Sequence, residues 1–150
     1  MRLKRGEPFL TSSKSPETTR SIGRSLGKLL KLGDTVFIFG DVGVGKTVFV
    51  SGIASALDIG GYITSPTFII ANAYNGKFPL YHFDAYRIKS PDELSETGFF
   101  EYAGGECVVA VEWAERLNGF KPAGCVEVWI ERDESGGEND SGRIIKIIFN

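Results

Sequence analysis

Cysteine, histidine and any excess of charge are all scarce in this chain. The two cysteines, Cys107 and Cys125, are each followed by valine in an apolar run. They form no C-x-x-C pair, which argues against a disulfide framework and for two small core residues in a reducing compartment. His82 is the sole histidine. Without a partner histidine or a cysteine pair it argues against a zinc site and reads as a strand residue packed beside the site. Lysine and arginine number 17 against 19 acidic residues, a net charge of -2. A chain that grips nucleic acid unaided carries a basic patch or stripe, and none is visible. No apolar run approaches membrane-spanning length. The basic start "MRLKRGEPFLTSS" lacks the apolar stretch of a signal peptide. These absences lead us to expect a cytoplasmic protein with no membrane partner. At 150 residues, residues 1–150 form one domain with apolar content for a single core.

The apolar pattern changes period several times. "SPETTRSIGRSLGKLLKLG" predicts a helix with Ser15 at the N-cap, Pro16 at the first helical position and Glu17 at the positive end of the dipole. Ile22, Leu26, Leu29 and Leu30 recur at helical spacing, and Gly33 stops the run. "TVFIF" reads as a buried strand. "KTVFVSGIASAL" is helical again, from Lys46 to about Leu57. "TFIIANAY" and "FPLYHFDAY" flank Asn75-Gly76, a strong hairpin signal, and Pro79 places an edge or irregularity at the second run. "SPDELSETGFFEYA" reads as one helix capped by Ser90. "CVVAVEW", "CVEVWIE" and "RIIKIIF" read as strands, the last two joined by the polar loop "RDESGGENDSG". The sum is an α/β fold: one P-loop NTPase-like domain with a mixed, mostly parallel sheet, antiparallel hairpins and flanking helices.

The chemistry sits in "FGDVGVGKTVFV". Gly40, Asp41, Val42, Gly43, Val44, Gly45, Lys46 and Thr47 fit G-x-x-x-x-G-K-[ST] without a mismatch. Glycines let backbone N–H groups turn inward around phosphate oxygens. The helix that follows aims its positive end at the same anion. Lys46 reaches outer phosphates, and the Thr47 hydroxyl can ligate Mg²⁺. A buried strand before the turn and a helix after it complete the context.

Such a cradle needs acidic groups for the metal and the attacking water, at the carboxyl ends of neighbouring strands. Asp84 ends "LYHF" and Glu112 ends "VVAV". Spacing leaves open which of them meets the metal. Thr67, in "TSPTF", suits a contact to the γ-phosphate or metal, or equally a strand start after Pro66. Trp113 suits a cover over the nucleotide or a place in the core.

"GDVGVGKT", "SPTF", "YHFDAYR" and "VEWAE", in this order and spacing, resemble the bacterial TsaE (YjeE) family. The resemblance runs from about Thr11 to Ile130. It implies a small P-loop ATPase required for threonylcarbamoyladenosine (t6A) formation at adenosine 37 of tRNAs reading codons that start with A. By it, Lys46 and residues 42–47 hold the phosphates of ATP, Thr47 and Glu112 take Mg²⁺, Asp84 is the strand-end carboxylate needed for hydrolysis, and Trp113 lies near the nucleotide; with Asp84, we take Lys46 and Thr67 as the candidate catalytic residues. It also implies partners, a two-protein transferase of TsaB and TsaD type that ATP hydrolysis resets, with tRNA met indirectly through that complex. Val42, Val44, Ala85 and Ala114 depart from the family's usual residues, but none removes a polar group.

A small-molecule kinase is the alternative reading. Such enzymes add an arginine-bearing lid, whereas here the arginines are scattered and no lid-length insertion is visible. A GTPase would carry N-K-x-D, which is absent.

Overall fold

A computed structural model describes residues 2–64, 71–117, 120, 122–137 and 141–150. The elements run β1 (Phe9–Ser13), α1 (Pro16–Gly27), β2 (Thr35–Phe39), α2 (Lys46–Ala56), β3 (Ala71–Tyr74), β4 (Leu80–Asp84), α3 (Pro91–Glu96), α4 (Phe99–Tyr102), β5 (Val108–Glu112), β6 (Val126–Arg132) and β7 (Arg143–Phe149). All seven strands form one sheet in the order β1-β7-β6-β2-β5-β4-β3. The four central strands, β6, β2, β5 and β4, run parallel. β7 and β1 extend the sheet antiparallel on one side, and β3 does so on the other. This is the mixed α/β architecture read from the pattern, with the strand that feeds the glycine-rich loop at the centre.

Both faces of the sheet's middle are covered. Leu26, Leu30, Phe49, Val50 and Ile53 from the α1 and α2 region pack on Val36, Ile38, Ala110, Val128 and Ile130. On the opposite face, Phe37, Phe83, Val109 and Val111 meet Ile88, Leu94 and Phe99. Buried on both sides, β2 and β5 are apolar almost throughout, as parallel central strands must be. Cys107 and Cys125 are buried and form no disulfide with each other. Among the described residues, no helix is long and apolar enough to cross a membrane.

The caps follow the expected chemistry. The Ser15 hydroxyl accepts from the Thr18 N–H at 3.1 Å, and Ser90 accepts from the Glu93 N–H at 3.3 Å. Four local expectations need revision. α1 ends at Gly27 instead of running towards Gly33, because hydrogen bonding switches there to a tighter spacing, with Leu29 N–H on the Leu26 carbonyl. The stretch after Ser90 is two helices, broken at Gly98, whose φ of +81° is left-handed. The β3–β4 hairpin forms, but Tyr74 pairs with Leu80, so the connection is longer than the two-residue turn that Asn75-Gly76 suggests. Gly76 is needed for a different reason: a Cβ there would sit 2.2 Å from the Leu57 carbonyl oxygen, where the turn docks on the end of α2. Finally, β1 is an edge strand that the pattern did not mark. "FLTSS" is short and half polar, and its partner β7 lies at the far end of the chain.

Candidate functional site

The loop between β2 and α2 is built from outside as well as within. A Cβ at Gly40 would lie 2.5 Å from the Ile130 carbonyl oxygen, so only glycine lets the loop leave β2 against β6. Gly45 caps α2 with φ +106° and offers no side-chain cap, which leaves the N–H groups of the first turn to another acceptor. The loop's carbonyls are held by two arginines at the ends of the β6–β7 hairpin. Arg132 Nη2 donates to the Val42 carbonyl at 2.9 Å. Arg143 donates from Nε to Val44 at 3.1 Å and from Nη2 to Gly43 at 3.3 Å. In a trans peptide the C=O and N–H point opposite ways, so carbonyls tied outward turn the following N–H groups inward. The Gly40 N–H itself donates to Glu115 Oε2 at 3.0 Å.

Lys46 is buried. Its Nζ donates to the Gly40 carbonyl at 2.5 Å and to the Asp41 carbonyl at 2.7 Å. Burial pulls its pKa below the ordinary lysine value, and the charges of Glu112, Glu115, Asp41 and Asp84 partly oppose that pull. Nζ also lies 3.9 Å from the centre of the Trp113 ring, a cation–π contact. Trp113 holds a left-handed φ of +57°, rare for a bulky residue and costly unless the surroundings fix it. Tyr86 packs on it at 5.0 Å, and Arg116 sits 4.8 Å over Tyr86. A column of cation, two aromatic rings and cation therefore stands on the loop's lysine.

Asp84 and Glu112 end the parallel strands β4 and β5 in register with each other. Equivalent positions of paired strands share a face, and here that face is the one α2 covers. The Thr47 hydroxyl, in the first turn of α2, lies 2.9 and 3.1 Å from the two oxygens of Glu112 and donates to that carboxylate. Asp84 Oδ1 accepts from the Tyr86 N–H at 2.9 Å. Lys46, Thr47, Glu112 and Trp113 are thus brought together around the loop, with Asp84 at their side. His82, two residues before Asp84 on the same face of β4, is fully buried with Nε2 2.6 Å from Glu112 Oε2. Thr67 lies outside the described residues.

Arg132, Arg143 and Glu115 escaped the sequence reading. One signal was available for the two arginines, which stand at either end of the polar "RDESGGENDSGR" stretch and pair across the hairpin. A cleft of about 520 Å³ opens beside the loop, lined by Phe39, Asp41, Trp129 and Arg132 among others. Phe39 and Trp129 stack in it at 4.0 Å.

Comparison with known proteins identifies the family. The family model described as "Threonylcarbamoyl adenosine biosynthesis protein TsaE" matches residues 13–141. The chain is 40% identical over 119 residues to the tRNA threonylcarbamoyladenosine biosynthesis protein TsaE of Bacillus subtilis, covering 79% of this chain and 74% of that one. It is 37% identical over 124 residues to the protein of the same name from Nostoc, covering 80% and 76%. The crystal structure of Bacillus subtilis YdiB superposes with a TM-score of 0.77 at 32% identity, over 94% of this chain and 84% of that one. The matched span takes in the whole glycine-rich loop, Asp84 and Glu112, and on these grounds the chain belongs to the TsaE family.

Proposed function

We propose that this chain binds ATP with Mg²⁺ and hydrolyses it in the service of tRNA threonylcarbamoyladenosine formation, the process for which its relatives are named. The modified base is adenosine 37 of tRNAs that read codons starting with A. The observation that carries the reading is the Thr47–Glu112 contact at the foot of a complete phosphate loop. A hydroxyl and two strand-end carboxylates are hard oxygen donors, a set that suits Mg²⁺ better than a softer metal.

Thr47 and Glu112 would hold the metal. Bound there, Mg²⁺ would neutralise charge developing on the outer phosphate oxygens. Residues 42–47 would direct N–H groups at the phosphates, and the uncapped start of α2 would add its dipole. Lys46 supplies a point charge. Asp84 is proposed to orient the attacking water and Thr67 to meet the γ-phosphate. Trp113, which rests on Lys46, would sense occupancy. Hydrolysis then resets a two-protein transferase of TsaB and TsaD type in the cytoplasm, and tRNA is met through that complex. The net charge of -2 supports indirect contact with tRNA.

The test is Mg²⁺-dependent ATP turnover with and without the two partner proteins, and with no small acceptor added. Turnover should be slow alone and faster with partners. Lys46→Ala should keep its circular dichroism spectrum and lose activity by about 100-fold or more. Unchanged hydrolysis by a folded Lys46→Ala protein overturns the proposal, and turnover that demands a small acceptor replaces it with a kinase.

A further inference from the structure

His82 is a fully buried histidine at the middle of β4, and the function proposed above gives it no role. The inner face of β4 grades from Leu80 through His82 to Asp84, from the core outward to the site. An apolar side chain would fill the middle position without a polar atom to satisfy. The histidine instead places Nε2 2.6 Å from Glu112 Oε2, and among the described residues its Nδ1 is buried with no hydrogen-bond partner.

These two facts fix where the proton belongs. A neutral imidazole has one N–H donor and one bare acceptor nitrogen. Glu112 is a carboxylate and can only accept, so the nitrogen facing it carries the proton. A bare lone pair at Nδ1 is tolerable in a buried setting, whereas an N–H orphaned there is costly.

Glu112 is in turn held from two sides, by His82 on β4 and by the Thr47 hydroxyl on α2. A threonine that offers oxygen lone pairs to a cation must point its O–H elsewhere, and Glu112 accepts that hydrogen bond. The carboxylate does this reliably only if its own rotamer is fixed. We propose that His82 is a positioning residue: through its Nε2–H it locks Glu112 in the orientation that accepts the Thr47 hydroxyl's hydrogen bond and leaves the Thr47 lone pairs for the metal. Partners of this outer kind orient metal ligands in many sites, and their loss typically costs about 10–100-fold in metal affinity or activity. The inference rests on the ATP and Mg²⁺ reading for its purpose, but not for the hydrogen bond itself.

Two measurements separate these. His82 is the chain's one histidine, so ¹⁵N-histidine labelling yields a single imidazole spectrum in the nucleotide-free protein. It should show a protonated Nε2 and a bare Nδ1. A bare Nε2 overturns the proposal whatever the fate of the variants. The second measurement is the Mg²⁺ concentration for half-maximal ATP turnover in three variants. Glutamine places an amide donor where Nε2 stands, asparagine places one where Nδ1 stands, and phenylalanine keeps only the shape. His82→Asn and His82→Phe should need about 10-fold more Mg²⁺, and His82→Gln should return most of the way to wild type. If all three match wild type, or Gln fares no better than Phe, His82 is a packing residue. If the wild-type protein shows no Mg²⁺-dependent turnover, the functional reading fails, and the imidazole spectrum still decides the pairing.

Discussion

Glu112 is 3% exposed, a burial that an ionised carboxylate survives only with donors or a cation around it. Thr47 and His82 are two such donors, and Lys46 adds positive charge. Replacement by glutamine keeps the shape and removes the charge. Glu112→Gln should therefore lower Mg²⁺-dependent hydrolysis by about 100-fold while metal-free nucleotide binding survives. In a Trp129→Phe background, which keeps a ring on Phe39, emission from Trp113 should shift when nucleotide is added to otherwise wild-type protein. Normal hydrolysis by Glu112→Gln together with loss in Asp84→Asn transfers the metal role to Asp84. At this scale the sequence was legible where chemistry is written in local spacing. Lys46, Thr47 and the loop glycines lie in one octapeptide, and Asp84 and Glu112 each end an apolar run. What it did not disclose is which groups meet across strands. The His82–Glu112 bond spans 30 residues and the Arg143–Val44 bond 99, and no period in the sequence encodes either.

Helices α1 and α2 cross at glycine. A Cβ at Gly52 would lie 2.1 Å from the Arg20 carbonyl oxygen, and one at Gly23 would lie 2.2 Å from the Phe49 carbonyl oxygen. Backbone meets backbone here, so no side chain can swing aside, and a methyl group forces the helices apart. Gly52→Ala should cost about 3 kcal/mol, at the upper end of overpacking penalties, and lower Tm by roughly 6–12 °C. It should also weaken nucleotide binding, since α2 carries Lys46 and Thr47. Gly60→Ala is the control, because nothing lies within 4 Å of its added Cβ and its φ is unremarkable; it should stay within about 0.5 kcal/mol. Urea denaturation measures both, and equal stabilities for the two variants contradict the close crossing. The elements themselves were largely readable because β2, α2, β5, β6 and β7 are strongly patterned apolar runs. Those misjudged depend on distant partners or on single residues. β1 is a strand only because β7 is there to receive it, and one left-handed glycine splits the helix after Ser90.

The whole molecule is nearly neutral, with 17 basic and 19 acidic residues. Affinity for bare tRNA should be weak and fall steeply with salt, since each phosphate neutralised releases counterions. A filter-binding series from about 50 to 200 mM salt measures this, and tight, salt-insensitive binding by the isolated chain contradicts it. The sheet order has a consequence for how the protein is made. The strand that launches the phosphate loop is β2, near the start of the chain, yet one of its neighbours is β6, and the arginine on the carbonyls of Gly43 and Val44 belongs to β7. A growing chain thus holds the complete octapeptide, residues 40–47, about a hundred residues before it holds the brace for it. At ribosomal speeds of ~5–20 residues per second, that gap is roughly 5–20 seconds. For most of it, the loop is a glycine-rich segment with neither Arg132 nor Arg143 to hold its outer carbonyls. On the function proposed, nucleotide capture should wait for Arg143, and a message cut short before that codon should yield a chain with the motif and no grip.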